Sequence, residues 1–289
     1  MWNSKSNGTI PPDKFYLIES DIDMELHVFR ALWGMTGSFQ AQIEAIADAG
    51  YDGVEGFMSA SDLDAAAYSA LVASHHLKLI MAAQIDTVEQ LAPMLTALAA
   101  YQPIKIGIHP GRDSMSRDEG ARFFEEALRI EQQIGVPVSH ETHRGRLFYT
   151  PWDTAYYLKQ FPELKVVADY SHWVNVCERL PDDQAAALEL ANQRAFHIHG
   201  RVGYEESPQV PDPAAPEYAG HLAWFERHWT QIADARHAAG DTALTFTPEY
   251  GPPPYLQTLP YTRQPLSNLW DVCLWGADRA RKLFAPLGD

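Results

Sequence analysis

The sequence is poor in cysteine, in positive charge and in long apolar runs. Its 289 residues include only two cysteines, Cys177 and Cys273, so a disulfide framework is excluded and a reducing cytoplasm is the expected location. Lysine and arginine number 22 against 38 aspartates and glutamates, and the net charge of −16 argues against nucleic acid as a partner. No apolar stretch reaches the roughly 18 residues of a membrane span, and residues 1–12 lack the apolar core of a secretion signal.

Apolar segments alternate with segments of helical periodicity along most of the chain. Eight apolar segments are typical of strands, at 24–32, 51–58, 77–83, 104–108, 136–140, 164–168, 195–199 and 243–247. A predicted helix follows each of them, at 38–49, 62–75 with Ser61 as its cap, 87–100, 116–134, 154–161, 182–192, 222–239 and 265–284. Eight such units predict an α/β fold, a single-domain (β/α)8 TIM barrel over residues 21–289, preceded by an N-terminal extension of residues 1–20.

A doubly wound open sheet is the main alternative, because it has the same alternation of strands and helices. Such a sheet usually carries a glycine-rich phosphate-binding turn after its first strand. Here residues 33–37 read WGMTG, which does not match GxGxxG, so the barrel is favoured. Two long proline-rich loops, 201–220 and 251–264, follow the last two strands, where barrel enzymes build their lids.

Ionisable residues stand at the ends of several predicted strands. In a parallel barrel these ends meet on one face, where active sites lie. Four of the residues follow strands five to eight, namely Glu141, Asp169, His199 and Glu249. Carboxylates gathered in this way repel one another unless a cation neutralises them, so these four residues are predicted to bind a divalent metal. Three carboxylates and one imidazole suit Mn²⁺ or Mg²⁺, and Zn²⁺ or Co²⁺ also accept such ligands.

Each of these residues alone has an ordinary explanation. A glutamate at a strand end is usually a surface or helix-capping acid, and Asp169 could cap the segment that follows it. His197 and His199 point to the same side of their strand because one residue separates them. His199 lies closer to the strand end and is preferred as the ligand, which leaves His197 as its partner or as a packing residue. The metal prediction depends on the four positions together.

The polar strand ends resemble those of the xylose isomerase-like TIM-barrel superfamily, which includes sugar epimerases, inosose dehydratases and the endonuclease IV branch. The resemblance extends from residue 51 to residue 249. Its most specific segments are HETH at 140–143, DYSH at 169–172, HIH at 197–199 and PEY at 248–250. In that superfamily the acids and the histidine of strands five to eight bind the metal, and the matching residues are Glu141, Asp169, His199 and Glu249.

The resemblance implies a metal-dependent sugar isomerase or epimerase acting on a keto- or aldo-sugar. Glu141 and Glu249 would remove and return a proton beside a metal-chelated carbonyl. The residues expected to bind the substrate are His172, Arg201, His109, Glu55, His143 and Trp33. The expected partner is a small sugar or sugar derivative, and relatives commonly form homo-oligomers.

Other functions remain open at this point. The same chemistry can expel a leaving group, which would make the protein a lyase or dehydratase acting on a keto-sugar, a keto-inositol or a 3-keto-glycoside. An endonuclease IV-like phosphodiesterase would need several metals and a basic groove, and the net charge of −16 argues against it. A barrel that binds a sugar without catalysis is the remaining alternative.

Overall fold

The computed structural model describes residues 24–58 and 64–285, whose eight parallel strands close into a barrel. The strands are β1 (Glu25–Ala31), β2 (Gly53–Phe57), β3 (Lys78–Ile85), β4 (Lys105–Pro110), β5 (Val138–Glu141), β6 (Val166–Ala168), β7 (Ala195–His199) and β8 (Ala243–Thr247). Each strand pairs with its neighbours along the chain, and β1 pairs with β8 to complete the circle. The single-domain (β/α)8 prediction is confirmed.

Nine α-helices surround the barrel within the described ranges. They are α1 (Phe39–Asp48), α2 (Ala65–Ser74), α3 (Val88–Ala99), α4 (Arg117–Ile134), α5 (Pro151–Gln160), α6 (Ser171–Cys177), α7 (Ala185–Arg194), α8 (Ala219–Ala238) and α9 (Leu269–Leu283). None of these helices is long and apolar enough to cross a bilayer.

Three of the helix starts that differ from the prediction are set by capping residues. Helix α5 begins at Pro151 because Thr150 caps it, and α9 begins at Leu269 because the Asn268 side chain accepts two backbone N–H groups. Helix α2 begins after Asp64, which accepts from the Ala67 N–H. The predicted cap Ser61 and the predicted extension 1–20 lie outside the described residues.

Alternation along the strands divides the buried side chains into two layers. Outward-facing residues such as Val54, Ile106 and Ile198 pack with the helices in the main hydrophobic core. Some inward-facing residues are polar. For example, the Lys105 ammonium crosses the barrel interior and donates to Thr245 Oγ1 at 2.9 Å. The inward positions nearest the carboxyl ends of the strands hold the ionisable groups.

Candidate functional site

A cavity of about 580 Å³ opens at the carboxyl ends of the strands. Its volume falls within the range of small-molecule sites. The predicted residues that line it are Trp33, Glu55, His109, Glu141, His143, His199, Arg201 and Glu249. Asp169 and His172 lie behind this lining and are fully buried.

Glu141, Asp169, His199 and Glu249 come together although they are far apart in the sequence. Glu141 and His199 are the last residues of β5 and β7, while Asp169 and Glu249 follow β6 and β8. One ligand atom from each residue lies within 4.8 Å of the others. His199 Nδ1 is 3.3 Å from Glu249 Oε2 and 3.7 Å from Glu141 Oε2. These four side chains could therefore hold one metal ion.

Several polar atoms in this group lack a hydrogen bond to any described residue. They are Glu141 Oε1, His199 Nδ1 and Glu249 Oε2, and each is buried; the last two lie 3.3 Å apart as a charge pair but without hydrogen-bond geometry. A buried polar atom without a partner is costly, and most such atoms in folded proteins are satisfied. Three carboxylates with one imidazole form a donor set suited to a divalent cation. The residues present thus fit the metal that the sequence predicts.

Asp169 differs from the other three residues because both of its oxygens already accept hydrogen bonds. Oδ1 accepts from the backbone and side chain of Ser171, and Oδ2 accepts from Arg201 Nη2. A carboxylate oxygen has two lone pairs, so it can accept a hydrogen bond and also contact a cation. Burial raises the pKa of Asp169 to about 6, helped by Glu249 and opposed by Arg201.

Arg201 supplies fixed positive charge next to these acids. Its Nη2 lies 3.3 Å from Glu249 Oε2 and 2.8 Å from His172 Nε2, and its Nε donates to Ser171 Oγ at 3.1 Å. Burial lowers the pKa of His172 well below its usual value, so the neutral ring can accept from Arg201. His172 therefore contacts Arg201 and does not line the cavity, although the sequence predicted it to bind substrate.

Glu55 contacts two histidines of β7 from across the barrel. Its Oε1 is 3.0 Å from His199 Nε2, and its Oε2 is 3.3 Å from His197 Nε2. When His199 donates from Nε2 to Glu55, its Nδ1 faces Glu141 and Glu249. A carboxylate that orients a ligating histidine in this way is a common feature of metal sites.

The two β7 histidines are in different electrostatic surroundings. Burial opposes protonation of His199, but Glu249, Glu55 and Glu141 outweigh it and raise the pKa of His199 well above its usual value. His197 lies deeper in the barrel, where burial lowers its pKa and its Nδ1 is 2.8 Å from Thr245 Oγ1. The neighbouring acids therefore favour protonation of His199, whereas burial favours the neutral form of His197.

His109 and His143 form the side of the cavity next to Glu141. His109 Nε2 is 2.8 Å from Glu141 Oε2, and the His109 and His143 rings stack with centroids 4.5 Å apart. Burial lowers the pKa of His143 to about 3, so this ring is neutral at physiological pH. Contacts from His109 and His199 lower the pKa of Glu141, although burial opposes them. Glu141 is therefore ionised at neutral pH.

Six phenylalanine, tyrosine and tryptophan residues line the cavity, and five of them were not predicted. Trp33 meets the Tyr255 ring edge to face at 4.8 Å, and Tyr255 also lies 5.1 Å from the Arg201 guanidinium carbon. Tyr255 belongs to the long proline-rich loop 251–264, whose length was the available signal. Phe57 stands two residues after Glu55 and is 44% exposed, and nothing in the sequence singled it out.

Comparison with known proteins places this fold in a family. The sequence of residues 43–228 matches the model of the xylose isomerase-like TIM barrel family. No curated protein sequence is significantly similar to the chain.

Solved structures of the same architecture include three with low sequence identity. A xylose isomerase-like TIM barrel protein from Mycobacterium smegmatis, in complex with magnesium, has a TM-score of 0.59 and 11% identity, covering 93% of this chain and 99% of that one. AsbF from Bacillus anthracis, a "probable 3-DHS dehydratase", has a TM-score of 0.58 and 14% identity over 88% of this chain and 98% of that one. A xylose isomerase domain protein from Planctomyces limnophilus has a TM-score of 0.57 and 14% identity over 90% of this chain and 95% of that one.

Identities this low support the shared fold only. The match to the family model covers more than half of the chain and agrees with the closed eight-stranded barrel. The chain therefore belongs to the xylose isomerase-like TIM barrel family.

Proposed function

We propose that the protein is a divalent-metal-dependent sugar isomerase or epimerase. The observation that carries this proposal is the group of four side chains at and just behind the cavity wall, in which three buried polar atoms lack a hydrogen bond to any described residue. Mn²⁺ or Mg²⁺ fits three carboxylates and one imidazole best. The magnesium in the Mycobacterium smegmatis relative supports this choice of ion.

The bound ion would hold a substrate carbonyl and its neighbouring hydroxyl and would make the adjacent C–H more acidic. Glu141 is the proposed base, because its contacts with His109 and His199 keep it ionised. Glu249 is the proposed acid, because it lines the same cavity and its Oε2 faces His199. The two residues would exchange roles when the reaction runs in the reverse direction.

Arg201 is proposed to bind a substrate oxygen. Its Nη2 is engaged by Asp169, but its buried Nη1 has no acceptor among the described residues. His172 would act through Arg201, because the two side chains are in hydrogen-bond contact. His109, His143 and Trp33 lie along the cavity wall, where they could contact substrate hydroxyls and carbon faces.

Solvent deuterium exchange tests this proposal directly. The protein is incubated with Mn²⁺ and a panel of ketoses in D₂O, and incorporation of deuterium next to the carbonyl is measured by NMR. Glu141→Gln and Glu249→Gln should each slow exchange by about 10²-fold or more, the usual contribution of a general acid or base. Glu131→Gln is the control, because Glu131 pairs with His140 outside the cavity. Near-normal exchange in both site variants would refute the assignment.

A lyase or dehydratase is the second candidate, because the cavity is larger than a free hexose requires. A hexose has twelve non-hydrogen atoms and, at no more than about 30 Å³ each (the share of one water molecule), fills less than about 360 Å³. The cavity of about 580 Å³ leaves room for a leaving group. Loss of water or of an aglycone in the same NMR assay would identify the lyase, whereas exchange without elimination supports the isomerase.

A further inference from the structure

The cavity has two chemically different halves. Glu141, His199, Arg201 and Glu249 form the polar half described above. The opposite side is formed by the ends of β1 to β3 together with α1 and α2, and we call it the apolar half. Most of its side chains are apolar or aromatic, such as Phe39, Phe57, Met58 and Tyr68, and Gln42 and Gln84 also line it.

The rings of the apolar half are held in place by the barrel. Phe39 of α1 stacks on Tyr68 of α2 with centroids 4.2 Å apart. Tyr68 in turn lies against β2 at Gly56, where an added Cβ would come within 2.4 Å of the Tyr68 hydroxyl. The absence of a side chain at Gly56 therefore lets Tyr68 approach the sheet. This half of the cavity has fixed walls of the kind that bind a flat apolar group.

Phe57 joins the two halves. Its ring centroid is 5.4 Å from that of His109, and His109 contacts Glu141 at 2.8 Å. A ligand held at Glu141 that extends past His109 would therefore reach Phe57. Phe57 lines this cavity and is 44% exposed, and a ligand that covers it would gain hydrophobic free energy.

We propose that the apolar half binds an aromatic group attached to the sugar, so that the substrate is an aryl conjugate that keeps a carbonyl on the sugar ring, such as an aryl 3-keto-glycoside. The proposal rests on the proposed function only for the position of the sugar end. The cavity volume supports the proposal. A free hexose occupies at most about 360 Å³, which is less than about two thirds of the cavity of about 580 Å³. The ring-lined walls favour an aromatic group over a second sugar, because the amide nitrogens of Gln42 and Gln84 already donate to Gly37 O and Asp86 Oδ1 and Tyr68 is buried.

The test compares two probes that differ only in this group. Binding of 4-nitrophenyl β-glucoside and methyl β-glucoside is measured by equilibrium dialysis with Mn²⁺ present. The aryl probe should bind about tenfold or more tightly, the effect of burying one ring. Phe57→Ala should reduce this preference several-fold. Trp152→Ala is the matched control, because Trp152 is also an exposed aromatic residue, at 42%, but lies on α5 outside the cavity lining.

Each outcome decides the proposal. Equal affinities, no saturable aryl binding, or an aryl preference that Phe57→Ala leaves intact would overturn it. If the protein prefers the aryl probe but binds no metal and exchanges no proton, only the proposed function is refuted. Metal binding and proton exchange with equal affinities for both probes would refute this inference alone.

Discussion

Replacing Glu55 by glutamine should weaken metal binding without removing a metal ligand. The Glu55 carboxylate accepts from His199 at 3.0 Å and from His197 at 3.3 Å, and it fixes the His199 ring with Nδ1 towards the acids. An amide of the same size keeps one acceptor but loses the negative charge and turns an N–H₂ group towards one histidine. Removing such a supporting contact typically lowers metal affinity by about 10- to 100-fold.

Isothermal titration with Mn²⁺ measures this change, and Glu131→Gln provides the control. Glu131 accepts from His140 Nε2 at 2.9 Å, so the same type of pair is altered on the helix side of β5. That variant should bind Mn²⁺ as the wild type does. Unchanged affinity in Glu55→Gln, or equal losses in both variants, would refute the role assigned to Glu55.

Three further predictions concern stability, measured as the free energy of unfolding in urea. Burial lowers the pKa of His228 to about 4, so the unfolded chain binds an extra proton as pH falls from about 6.5 towards 4, and stability is lost. Between pH 7 and pH 5 the wild type should lose about 2 kcal/mol more than His228→Gln, and parallel losses would contradict this. Gly200→Ala should destabilise by about 1–3 kcal/mol or more, because its Cβ would meet the Phe246 ring at 1.8 Å, whereas Gly220→Ala, with no atom within 4 Å, should be neutral or stabilising. Equal effects of the two glycine changes would refute that reasoning. Ser116→Ala removes the capping box of α4 and should cost about 1 kcal/mol, and no change would show that the cap contributes nothing.

The strands were predictable because each is a short segment rich in apolar residues, even where its inward-facing positions are polar. Segments such as 195–199 are short and bounded by helical periodicity, and all eight were placed correctly within a few residues. Helix α6 was not predicted. It has seven residues, most of them buried, so it lacks the one-sided apolar pattern that marks a surface helix.

The grouping of Glu141, Asp169, His199 and Glu249 was predictable from topology alone, because parallel strands of a barrel end on one face. The contact between Glu55 and the histidines was not. Strands β2 and β7 are not neighbours, so whether their side chains meet depends on the width of the barrel interior and on side-chain direction, which no sequence pattern records.

Locating the metal by anomalous X-ray diffraction tests the central claim most directly. Crystals grown with Mn²⁺ should show one strong anomalous peak within about 2.0–2.6 Å of oxygen or nitrogen atoms from Glu141, Asp169, His199 and Glu249. No peak at these residues under saturating Mn²⁺, or a peak bound elsewhere in the protein, would contradict the account.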